Sequence, residues 1–178
     1  MTAPLDLLAR AARLWHESLD AAGGVPPSSP TPCTAWDLGT LVRHVSESVS
    51  TLIELIAGTA SRPDSPGGAA QADVELGRLL RAIGRAPRDC PGVRLTALTG
   101  AFELTVHAWD INESSRRHVP LPADLVSTLL SRAPAVLHNL DRTGLFGIGY
   151  LPAPEQRSDT DRLLALFGRR STQKENTP

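Results

Sequence analysis

Apolar residues recur at helical spacing along most of the chain. From Pro4 to Ala22, Leu5, Leu8, Ala12, Trp15 and Leu19 share one face of a 3.6-residue period, and Pro4 suits a first turn. The segment Gly23 to Pro32, GGVPPSSPTP, holds four prolines and two glycines and is a connector that cannot continue that helix. Thr34, followed three residues later by Asp37, gives a capping-box-like start to a second helix that runs to about Ala60. Leu38, Leu41, Val42, Val45, Val49, Leu52, Ile53 and Ile56 form its broad apolar face, and His44 lies beside that stripe.

Ser61 to Ala70 is a loop rich in Pro, Gly, Ser and Ala, and Asp73 to Ala86 reads as a short amphipathic third helix ended by Pro87 and Pro91. From Val93 to Arg117, Leu95, Leu98, Phe102, Thr105, Val106 and Trp109 predict a fourth helix packed on one side. Glu103, His107 and Asp110 form a separate i, i+4, i+7 stripe on it. A fifth helix is expected from near Pro122 to Arg142, bent at Pro134, where a backbone donor is lost. Gly144 to Pro154 carries turn residues around Phe146, Ile148 and Tyr150, and Ser158 to Phe167 predicts a short last helix whose leucines dock on the bundle. Beyond Arg169 the polar end is expected to fray. With no repeat and no strong strand alternation, the fold class is all-α.

A length of 178 residues and a mass of 19.0 kDa fit one compact domain, read as residues 1–170, with 171–178 as a disordered tail. The net charge of −1 gives no electrostatic case for nucleic acid or an anionic membrane as partner. Lys174 is the sole lysine against 17 arginines, a skew that points to a GC-rich genome rather than to a mechanism. Cys33 and Cys90 sit in no CxxC spacing, and no signal peptide or apolar run of about 18 residues is evident. A cytoplasmic protein with free thiols is the simplest compartment reading.

The chemistry gathers on two helices. Glu103 and His107 are four residues apart on one face, and His44 on another helix supplies a third ligand-type side chain. Two histidines and one carboxylate leave a coordination position open, as in catalytic zinc sites and in those of other divalent metals. Taken alone, Glu103 and His107 could be an i,i+4 ion pair worth about 0.3–0.5 kcal/mol, and His44 a hydrogen-bonded packing residue. Phe102 and Trp109 flank the pair in sequence. Asp110 is placed to fix the His107 tautomer, to replace Glu103 as ligand, or to stand as a solvated helix residue. His16 and His138 are candidates for a fourth ligand or are ordinary histidines, and His118 follows two arginines where positive charge suits a helix C-terminus. Cys33 precedes a helix start, where a thiol pKa falls, but no partner histidine is evident in its neighbourhood and a packed, inert thiol is the simpler reading. Arg43 and Arg94 are candidates for a substrate carboxylate or are surface arginines. No glycine-rich phosphate loop or G-x-S-x-G elbow is present.

The segments TPCTAWDLGTLVRHV at 31–45 and FELTVHAWDI at 102–111 resemble the DinB/YfiT-like metalloprotein superfamily. They look most like its actinobacterial branch related to mycothiol-dependent maleylpyruvate isomerase. The ending GLFGIGYLPAPEQRSDTDRLLALFGR is similar to the close of single-domain members, so the resemblance spans nearly the whole chain. It implies a four-helix bundle with an additional C-terminal helix and irregular tail, and a divalent metal, usually zinc, at His44, Glu103 and His107. It also implies mycothiol or a similar low-molecular-weight thiol as co-substrate and a homodimer, although no heptad seam supports the latter. The sequence departs from the isomerase proper in lacking a sizeable C-terminal domain after helix five, so the resemblance supports the maleylpyruvate reaction itself less than it supports the fold.

The expected function is a metal-dependent S-transferase or cis–trans isomerase that activates a thiol for addition to a small electrophile. The ion would acidify the thiol and hold it against the substrate. Two alternatives stand beside it: a hydrolase of the same fold using water at the open position, and a non-catalytic metal-binding or regulatory helical module. The paired-cysteine ligand motif expected of a zinc-type anti-sigma factor is absent.

Overall fold

The computed structural model describes residues 2–58, 69–137 and 158–169. Among them are six helices and no β-strand: α1 (Pro4–Ala21), α2 (Leu38–Ala57), α3 (Ala69–Arg85), α4 (Pro91–Ser114), α5 (Ala123–Leu137) and α6 (Asp159–Leu166). The all-α expectation therefore holds for the described chain. Two compact units are present, Met1–Leu121 and Pro122–Pro178.

In the first unit, α4 packs most extensively on α1 and also on α2, while α3 contacts both α1 and α2. The helices thus form a closed ring in the order α1, α4, α2, α3. α1 buries Leu5, Leu7, Leu8, Ala11, Ala12, Trp15 and Ser18, and α2 buries Leu38, Leu41, Val45, Val49, Leu52, Ile53 and Ile56. On α3, Ala72, Glu75, Leu79 and Ile83 are inward at spacings of three and four.

The fourth helix departs from expectation. It is buried on most of its circumference, with Leu104, Ala108 and Ile111 inward as well as Leu98, Phe102 and Trp109, because α1 and α2 both lean on it. Leu95, placed on its apolar face by spacing, is 51% exposed. Gly100 permits the close approach. A Cβ built there would lie 2.7 Å and 2.8 Å from the two Leu52 methyls and 3.0 Å from Leu8 Cδ1.

The start of α2 also differs from expectation. Asp37, not Thr34, is the N-cap, and its carboxylate accepts the Thr40 amide at 2.8 Å. Two other first-turn donors are taken by the preceding loop, Leu38 N–H by the Ser29 carbonyl at 2.9 Å and Gly39 N–H by the Pro27 carbonyl at 2.7 Å. The proline-rich connector is therefore stitched onto the helix it introduces. Gly58, in the left-handed region at φ 68°, closes the other end of α2.

In the second unit α5 runs through Pro134 and packs on α6. Ser158 and Asp161 form a reciprocal capping box at the start of α6. α3 begins at Ala69, earlier than the expected Asp73, so it takes in the last two residues of the loop expected over 61–70; the rest of that loop, the end of the fifth helix, the turn-rich 144–154 and the terminal tail lie outside the described residues. No described helix is long and apolar enough to cross a membrane.

Candidate metal centre

Helices α2 and α4 are neighbours, and their polar stripes face each other. His44 Nε2 lies 2.9 Å from Glu103 Oε1, and His107 Nε2 lies 3.5 Å from the same oxygen. One ligand atom from each residue falls within 4.8 Å of the others, and no other such cluster occurs among the described residues. A tetrahedral ion with bonds of about 2.0–2.1 Å spaces its ligand atoms about 3.3 Å apart, so the donor set matches in chemistry and scale. The cluster His44–Glu103–His107 could hold a metal ion.

Exposure falls along the cluster. The side chains of His44 and Glu103 are 36% and 31% exposed, while His107 is 6% and Asp110 0% exposed. The open side is thus at His44 and Glu103, and the back of the site is closed by Asp110. The Asp110 carboxylate accepts the His107 Nδ1 proton at 2.9 Å, which turns Nε2 toward Glu103.

Two residues that spacing did not single out complete the site. Ser48, one turn after His44, donates to Glu103 Oε1 at 3.0 Å. Trp36, just ahead of α2, sets its ring 4.5 Å from the His44 ring and 6.2 Å from the His107 ring, centroid to centroid. Phe102 and Trp109, which flank the pair in sequence, are buried in the core, as expected of the apolar face of α4. The sequence signal for Ser48 was its i+4 position from His44, the same interval as Glu103 to His107.

Electrostatics bind the cluster together. At Glu103 burial favours the neutral acid, but hydrogen bonds from His107 and His44 outweigh it and hold the carboxyl well below the usual carboxylate range. At His107 burial favours the neutral ring, but the bonds to Asp110 and Glu103 prevail and raise its pKa to about 9. Without a cation, His107 is an imidazolium between two carboxylates. An ion in the cluster would take the place of the Nε2 proton.

The remaining candidates lie elsewhere. His16 pairs with Asp20 on α1 at 3.4 Å, and His118 with Glu113 at 3.0 Å, where the chain leaves α4 through left-handed Arg116 and His118. Cys33, half-buried in the loop before α2, and Cys90, exposed at the N-cap of α4, form no disulfide. Arg43 and Arg94 are exposed, and His138 lies outside the described residues.

No family model matches the chain, and no solved structure matches it. Two curated proteins are similar to it, the uncharacterised proteins Rv0738 of Mycobacterium tuberculosis strain H37Rv and MT0763 of strain CDC 1551. Each is 27% identical over 171 residues, covering 89% of this chain and 91% of the relative.

Proposed function

We propose that the protein is a mononuclear metalloenzyme of the DinB/YfiT-like kind, in which a divalent ion, zinc by donor chemistry, activates a mycothiol-like thiol toward a small electrophile. The observation that carries this is the convergence of His44, Glu103 and His107 from two helices, with the open side at His44 and Glu103. The mycobacterial relatives suit the actinobacterial thiol that the motif resemblance implies.

When bound, a divalent ion there supplies Lewis acidity that lowers the pKa of a thiol or water at its open side. The chain's own groups do the rest. His44, Glu103 and His107 present three donors, Asp110 holds His107 in the tautomer that offers Nε2, and Ser48 fixes the Glu103 oxygen. The Trp36 ring lies beside both imidazoles, 4.5 Å from that of His44 and 6.2 Å from that of His107. Addition of the thiol to a conjugated double bond, rotation and elimination would give isomerisation; retention of the new C–S bond would give transfer.

Metal content by mass spectrometry on tag-free protein, with His44→Ala and His107→Ala at matched folding, tests the centre. About one divalent ion per chain is expected in the wild type, lost in both variants. Thiols are then screened with electrophiles. Turnover that needs no thiol would move the assignment to hydrolysis, and well-folded wild type that takes up no metal would remove the catalytic ion altogether.

A further inference from the structure

We propose that Trp36 is a positioning residue of the metal centre, holding the His44 imidazole in its ligating orientation, with Thr31 as the brace that fixes Trp36. This rests on the metal-site reading above and extends it to residues outside the donor set.

The three donors are supported unequally. His107 is oriented by the buried Asp110 and Glu103 by Ser48. His44 is the most exposed donor, and its ring packs against the Trp36 indole, tilted 43° at 4.5 Å. The same indole lies 6.2 Å from His107, so one aromatic surface spans both imidazoles. A flat apolar group there restricts rotation of His44 and limits water access, the two levers by which surroundings tune a metal site.

The loop that carries Trp36 is built to keep it in place. Trp36 N–H donates to the Cys33 carbonyl at 2.8 Å. The Thr31 hydroxyl lies 2.8 Å from the Trp36 carbonyl and 3.0 Å from that of Cys33, and accepts the Cys33 amide at 3.1 Å. Both backbone polar groups of Trp36 are thus engaged. Ahead of Thr31, the loop is pinned to the first turn of α2 through the Ser29 and Pro27 carbonyls. Thr31 therefore braces the backbone from which the indole projects without being one of the ligands.

The test is the affinity of the purified full chain for Co2+, read by competition with a chromophoric chelator, alongside the visible Co2+ spectrum and the melting temperature of the metal-free protein. Trp36→Ala and Thr31→Val are expected to weaken binding about tenfold and to alter the Co2+ bands. Trp36→Phe, which keeps a ring, and Thr31→Ser, which keeps the hydroxyl, are expected to restore most of the affinity. If Trp36→Ala fails to fold, the Thr31 pair carries the test. Wild-type affinity and spectrum in Trp36→Ala or in Thr31→Val would overturn the positioning role while leaving the metal centre standing, as would equal losses in Thr31→Val and Thr31→Ser. A wild type that binds no Co2+ would overturn both.

Discussion

Asp110, with no exposed surface, accepts the Nδ1 proton of His107 at 2.9 Å, and this contact aims the opposite nitrogen of the ring at Glu103. Both residues lie on α4, three positions apart, so one helix would supply a candidate ligand and the group that orients it. Replacing Asp110 by Asn keeps the shape and removes the charge. The expected outcome is a loss of metal affinity of about 10–100-fold. The His107 pKa should fall from about 9 toward 6.5, as followed by NMR of the ring protons. Unchanged affinity in a folded Asp110→Asn protein would count against the orienting role.

The protonation of His107 also predicts a link between metal uptake and pH. Its Nε2 cannot bind an ion while protonated, and with the pKa raised to about 9 the ring carries that proton at neutral pH. Uptake at pH 7 should therefore release about one proton per ion, and affinity should rise with pH until His107 titrates on its own. Calorimetry in buffers of different ionisation enthalpy measures the count. Zero release at pH 7 would contradict the assignment of the proton to this site.

The metal-free protein should show the opposite pH trend. His107 has a folded pKa above its unfolded value, so its contribution to stability is full below about 6.5 and is lost as pH rises through about 9. Glu103 has a folded pKa below its unfolded value, so its contribution is present above about 4.5 and is lost as pH falls toward the folded pKa. Both come from one cluster and are not independent sums. Melting temperature with chelator present should fall between pH 6.5 and 9, whereas the extra stability conferred by added metal should grow over the same range.

The candidate cluster was legible in the sequence because helical spacing puts Glu103 and His107 on one face whatever their surroundings. α1, the body of α2 and the cap of α6 were legible for the same local reason. What escaped depends on tertiary partners. The one-sided face expected for α4 ignored that two helices lean on it, which buries Leu104 and Ile111 and leaves Leu95 exposed. Trp36 lies inside the Thr34–Asp37 stretch read as a helix start, and nothing local shows that the loop folds back to pin itself through Ser29 and Pro27. Ser48 is an ordinary helix-surface serine until α4 brings Glu103 opposite it.

Packing at the crossing of α2 and α4 gives a prediction independent of the ion. Alanine at Gly100 gains about 1 kcal/mol of helix propensity, but its Cβ would press on both methyls of Leu52 and on Leu8. Overpacking of this kind costs about 1–3 kcal/mol, so Gly100→Ala should be net destabilising in denaturant titration. In a Leu52→Ala background the two tightest contacts are gone and only the 3.0 Å approach to Leu8 remains, so the same change should cost clearly less. An equal effect of Gly100→Ala in both backgrounds would place its cost elsewhere than the Leu52 contact.

Ser48 offers the mildest perturbation of the centre. Its hydroxyl donates at 3.0 Å to Glu103 Oε1, the oxygen that also lies 2.9 Å from His44 Nε2. Ser48→Ala removes that donor and leaves the carboxylate free to rotate, yet the cluster is partly exposed and water can take the vacated bond. The expected loss of metal affinity is therefore toward the lower end of the outer-shell range, about tenfold. Folding stability should change by less than about 1 kcal/mol, because the lost bond is replaced by solvent. The contrast with Asp110 is the informative part: its partner nitrogen is sealed from water, so Asp110→Asn should cost more affinity than Ser48→Ala in the same chelator competition. If Ser48→Ala proves the costlier change, the Glu103 orientation rather than the His107 tautomer limits ion binding.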